Sequence, residues 1–81
     1  MSLTLAHAVV EINEIASKFK SSIVIKTDEK MIDAKSMLGL SYSILHSKEF
    51  HLEIHGPDEE EAKKEMMIIF WKYNLPIGIN E

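Results

Sequence analysis

The sequence predicts an α+β fold, a two-layer sandwich in which an antiparallel sheet carries its helices on one face. Three observations predict it. Residues 50–55 alternate strictly, with Phe50, Leu52 and Ile54 on one side and His51, Glu53 and His55 on the other. Two longer segments, about 4–20 and 58–73, instead place apolar residues at helical spacing. The order helix, strand, strand, short helix, strand, helix suits helices laid across a sheet. With 81 residues the chain is one domain, since a second core of ordinary size has no room.

In the first helix, Leu5, Val9, Ile12, Ala16 and Phe19 line the buried face, and Ala8, Val10 and Ile15 make it more apolar than a surface helix needs. Thr4 is its expected N-cap. Residues 22–34 read as a hairpin: β-branched Ile23, Val24 and Ile25 lead to the turn Thr27-Asp28-Glu29-Lys30, and Met31 and Ile32 return. Ser36 caps a short helix over about 36–45, and the alternating strand covers about 49–55. Gly56-Pro57 breaks that strand. Asp58 is the expected N-cap of the last helix, and Glu59, Glu60 and Glu61 fill its first turn, where the helix dipole favours anions. Ala62, Met66, Ile69 and Phe70 form its buried stripe; Asn74 and Pro76 end it, before the apolar tail Ile77-Gly78-Ile79 within 74–81.

Composition removes several function classes. Apolar residues make up 46% and charged residues 27%, which is globular rather than disordered composition. There is no cysteine, so disulfide scaffolds, thiolate zinc sites and thiol nucleophiles are excluded. The net charge is −4 and all nine basic residues are lysine, which argues against nucleic acid as a partner and leaves no bidentate guanidinium for phosphate. Apolar runs are too short to insert in a membrane, and Glu11 interrupts any signal peptide, so a cytoplasmic location is expected.

Three blocks carry a family resemblance. Ala16-Ser17-Lys18-Phe19 closes the first helix, Lys35-Ser36-Met37-Leu38-Gly39-Leu40 follows the hairpin, and Gly56, Asp58-Glu59 and Ala62 open the last helix. Together they resemble the histidine-containing phosphocarrier (HPr) family of the bacterial sugar phosphotransferase system. The spacing agrees without gaps from Ala16 to about Leu40, and from Glu49 to Phe70 after one deletion, over roughly three quarters of the chain. The resemblance implies an HPr-like sandwich whose first edge strand is missing here, because no more than four residues precede the first helix.

In the resembled family the active segment reads Gly-Ile-His-Ala-Arg-Pro-Ala, and its histidine carries the phosphoryl group. Without gaps, Leu5 falls at that histidine and His7 at the arginine; a two-residue shift puts His7-Ala8 on the His-Ala pair, with Val9 and Val10 at the arginine and proline. A phosphohistidine at a helix N-terminus needs free backbone N–H groups and a nearby cation. His7 lies about one turn inside the helix if Thr4 caps it. The resemblance further implies that Ser36 is the site of a regulatory serine kinase, with Met37, Leu38 and Leu40 as a docking patch for transport-system proteins or a regulator.

Other residues are read from chemistry alone. His51 and His55 share a strand face two pleats apart, too far for one tetrahedral site, so no metal is expected, and no cofactor either. Met66 to Trp71 are six consecutive apolar residues; Met67, Ile68 and Trp71 fall off the buried stripe and are expected to mediate self-association as a homodimer, unless the Ile77-Gly78-Ile79 tail covers the open sheet edge. The expected function is a degenerate phosphocarrier acting as a regulatory, protein-binding module. The alternatives are an active carrier using His7 and a self-associating module without phosphate chemistry.

Overall fold

The computed structural model describes residues 3–28 and 30–80, so Glu29 of the hairpin turn and Glu81 of the tail lie outside the described residues. Seven elements follow in order: α1 (Leu3–Ser17), β1 (Ser22–Lys26), β2 (Met31–Asp33), α2 (Met37–His46), β3 (Phe50–His55), α3 (Glu59–Lys72) and β4 (Ile77–Ile79). The sheet order is β2-β1-β3-β4. The first three strands pair antiparallel as expected, with Ile25 opposite Ile32 and Leu52. The fourth strand is the apolar tail, and it joins β3 in parallel, Phe50 opposite Ile77 and Leu52 opposite Ile79. The sheet is therefore mixed. The physical reason is the return path: α3 carries the chain back to the start of β3, so the next strand must run in the same direction.

One face of the sheet meets all three helices. Ile23, Ile25, Phe50, Leu52 and Ile54 point into this layer, where Ala8, Ile12, Ala16, Leu40, Ile44, Met66 and Phe70 close over them. Phe70 stands edge-on to Phe50 with ring centroids 5.9 Å apart. The opposite face, with His51, Glu53 and His55, stays open to water. Gly39 lets α2 approach β2, because a Cβ there would sit 2.6 Å from the Ile32 Cγ2.

Two caps differ from expectation. Thr4 is already helical, since α1 includes Leu3, so it does not begin the helix. Asp58 does occupy the N-cap position of α3, but its side chain makes no cap bond. Its carboxylate instead accepts the Ser21 hydroxyl at 2.5 Å and the backbone N–H groups of Lys20 and Ser21 at 2.9 and 3.0 Å. After Ser17 the Lys18 and Phe19 N–H groups still bond back to the Ile15 and Ala16 carbonyls, at 3.1 and 3.3 Å, and the clamp takes the Lys20 and Ser21 N–H groups, so the helix does not continue through Lys20. Glu59 serves the end of the strand instead, accepting the Gly56 N–H at 3.2 Å.

The Ser21 hydroxyl, followed by the Lys20 N–H, holds the Asp58 carboxyl down from 3.8 to about 2. A folded-state value below the unfolded one means the clamp contributes fully above about pH 4 and is lost as the pH falls towards 2. Urea titrations at descending pH are expected to show a falling midpoint in this window, and Asp58→Asn is expected to flatten that part of the fall.

Candidate functional site

Ser36 stands at the entrance of α2 with extended backbone, and its Oγ accepts the Gly39 N–H at 3.4 Å. That is a long bond, so the hydroxyl is lightly held, and the residue is exposed. Asp33 sets the approach: its Oδ1 accepts the Lys35 N–H at 2.9 Å and its carbonyl the Ser36 N–H at 2.9 Å. Lys35, beside Ser36, is committed elsewhere, donating to the Phe19 carbonyl at 2.8 Å.

The neighbouring apolar residues divide. Met37 is 43% exposed and Leu38 84%, whereas Leu40 is 0% exposed. Leu40 is thereby corrected: it faces the core with Ile44 and anchors α2, so it cannot touch a docked protein. Tyr42 and Leu45 are each 44% exposed. Leu38, Tyr42 and Leu45 sit at i, i+4 and i+7 and form one outward stripe. The spacing was visible in the sequence, but only packing shows which of the two apolar stripes of α2 turns inward. Lys30 Nζ lies 4.2 Å over the Tyr42 ring, and the His46 ring stacks beyond it at 4.4 Å. These side chains wall a groove of about 230 Å³ shared with Thr27, Asp28 and Lys48. Its charges are mixed in sign and select no ligand class.

His7 is the fifth residue of α1 as described and is exposed. One turn on, the Glu11 carboxylate accepts the Tyr73 hydroxyl and two contacts from Lys72 Nζ at 3.0 and 3.1 Å. The Tyr73 hydroxyl, then Lys72, keeps the Glu11 carboxyl below its ordinary range. The same bonds raise Lys72 and Tyr73 above theirs, Glu11 being the leading cause for both. Lys72, contributed by α3 and invisible to a reading of neighbours in sequence, thus reaches the carboxylate one turn along α1 from His7 and is engaged with it. Asn13, on the opposite side of α1, binds the Ala34 carbonyl at 3.3 Å, just before Ser36. His7 and Ser36 accordingly belong to different junctions of the first helix.

The open sheet face carries His51 and His55, which reach Glu53 from both sides at 2.7 and 3.3 Å. The bond from His51 is the main cause that lowers the Glu53 carboxyl. Among the described residues no group of three His, Asp or Glu side chains is placed to hold a metal ion. Met67 is only partly exposed, while Ile68 and Trp71 are 58% and 63% exposed on α3. Among the described residues, no helix is long and apolar enough to cross a membrane.

Comparison with known proteins bears directly on this arrangement. A sequence profile described as the PTS HPr component phosphorylation site matches residues 5–70. No curated protein sequence matches significantly. Among solved structures, Crh of Bacillus subtilis, described as a domain-swapped intertwined dimer, shares 26% identity and a TM-score of 0.73, over 84% of this chain and 79% of that one. An HPr dimer from Thermoanaerobacter tengcongensis shares 33% identity and a TM-score of 0.68, over 82% and 78% of the two chains. The Mycoplasma histidine-containing phosphocarrier protein, at 20% identity and a TM-score of 0.73 over 85% and 80%, shows the likeness of fold. Carrying the profile along most of its length and sharing its architecture with these proteins, the chain belongs to the HPr family of phosphotransferase-system phosphocarriers.

Proposed function

We propose that this family member works as a degenerate carrier: a regulatory module of the sugar phosphotransferase system, located in the cytoplasm, that docks on other proteins under control of Ser36. The observation that carries this reading is the lightly held Ser36 hydroxyl at the start of α2, followed directly by the exposed Met37 and the Leu38–Tyr42–Leu45 stripe. A phosphate on Ser36 would bring about two negative charges to a helix N-terminus, where the dipole favours them, so α2 tolerates the modification. The partner would meet an apolar surface whose border has just changed charge. His7 supports phosphoryl transfer less well. It lies inside α1, the chain has no arginine, and Lys72, which reaches Glu11 one turn along the helix, is held by that carboxylate.

Intact mass measured without acid tests both halves. Incubation with ATP and a family serine kinase is expected to add one phosphate, lost in Ser36→Ala. Leu38→Glu is expected to weaken capture of the partner regulator at least tenfold while the fold persists by circular dichroism. Incubation with phosphoenolpyruvate and enzyme I is expected to add nothing, beside an ordinary family member that gains a phosphate. A gain that disappears in His7→Ala would overturn the degenerate reading and establish the active carrier.

A further inference from the structure

A phosphoryl acceptor needs a backbone held still and a hydroxyl left loose. The segment that leads into α2 has both. The N–H groups of Ala34, Lys35 and Ser36 bond the Ile23 carbonyl, the Asp33 carboxylate and the Asp33 carbonyl, each at 2.9 Å. The bond from Lys35 closes a tight turn in which the Asp33 side chain stands in for a peptide carbonyl. The Ser36 carbonyl is fixed as well, accepting the Leu40 N–H at 2.9 Å. The Ser36 Oγ, by contrast, accepts only the long bond from Gly39, and its own proton is given to nothing among the described residues.

Two further bonds tie this segment to the first helix, and neither is part of α2 itself. Asn13 lies on α1, 21 positions before Ala34, and its Nδ2 donates to the Ala34 carbonyl at 3.3 Å. Lys35 Nζ donates to the Phe19 carbonyl at 2.8 Å, just past the end of α1. Both bonds are partly buried, where water competes less for the acceptor. One holds the peptide two residues before Ser36, and the other holds the side chain of the residue before it. Ala34 is 0% exposed, so the segment turns about a point fixed in the core.

We propose that Asn13 and Lys35 are positioning residues for phosphoryl transfer to Ser36: they anchor its loop to α1 so that the Oγ meets the phosphoryl donor in line. The inference rests on the regulatory role given to Ser36 and adds the source of its alignment. In the transfer the Ser36 Oγ forms a bond to the γ-phosphorus of ATP, the bond to the bridging oxygen of ADP breaks, and the hydroxyl proton passes to a base of the kinase. Such a step depends on position more than on any covalent help, and an acceptor misplaced by about 1 Å reacts roughly a hundredfold more slowly. Exposed Met37, beside Ser36, is within reach of a bound kinase and acts on KM. Asn13, half-buried on another element, acts through alignment and so on kcat.

Steady-state phosphorylation by ATP and a family serine kinase, followed by intact mass, separates the two constants. Asn13→Ala removes a donor without changing the charge. It is expected to lower kcat about tenfold and to leave KM within about twofold. Lys35→Met keeps the side-chain length, loses the donor, and is expected to lower kcat likewise. Lys35→Arg still donates and is expected to recover most of the loss. Circular dichroism checks that each variant folds; should Asn13→Ala fail to fold, the two Lys35 variants decide alone. An unchanged kcat in folded variants would overturn the proposal. So would a loss confined to KM, or Lys35→Arg as slow as Lys35→Met. A parent chain that takes no phosphate would remove the Ser36 reading itself and this inference with it, a result distinct from a parent that is phosphorylated as fast as its variants.

Discussion

Phe70→Ala is expected to destabilise the fold by about 3–5 kcal/mol, the usual cost of emptying a buried aromatic site. Phe70 is 0% exposed and meets Phe50 edge-on, so the cavity opens where α3 crosses β3. A domain of this size holds about 4–12 kcal/mol in total, so much of its stability goes with one side chain. Trp71, the next residue and larger, is 63% exposed. Trp71→Ala is expected to stay within about 0.5 kcal/mol. Urea titrations of the two variants, followed by circular dichroism, check the contrast. Near-equal losses would mean that α3 is rotated about its axis from the placement described here.

Gly56→Ala is expected to cost about 2–4 kcal/mol, from backbone strain and overpacking together. Gly56 has φ of +150°, and a Cβ there would lie 2.6 Å from the Ser21 Cα, which is backbone and cannot swing aside. The substitution also presses on the residues clamped by Asp58, so its effect should grow where that clamp is intact. Gly78→Ala is the comparison. Its Cβ would meet only the His51 ring, at 3.0 Å, and that side chain can move. Thermal melts of the two variants are expected to separate clearly, with Gly56→Ala lower.

How much of the site was legible depends on the kind of signal. Ser36 was legible as a helix cap from its local pattern, whereas its regulatory role and the Met37 and Leu38 patch were named only from the family resemblance. Leu40 could not be placed correctly, because α2 has apolar residues on both sides and only the contact with Ile32 and the sheet decides which side is covered. The Glu11–Lys72–Tyr73 cluster was invisible for a different reason: its members are about sixty positions apart and meet only when α1 packs on α3. Asp58 was read as a local cap, a common use of that residue, whereas the donors it meets are the Ser21 hydroxyl and the N–H groups of Lys20 and Ser21, between α1 and β1.

The sequence by itself determined the elements with a strong period and the absence of thiol chemistry. The alternation over residues 50–55 left no other reading, and the acidic first turn marked the start of α3, because periodicity and helix-end electrostatics act within a few residues. Only the tertiary structure decided where the tail goes. Three residues, Ile77-Gly78-Ile79, have no intrinsic reason to form a strand; the unpaired edge of β3 makes them one, and the direction in which α3 returns makes that strand parallel. The same holds for the division of labour among carboxylates and apolar stripes, which follows from what lies across the fold rather than along the chain.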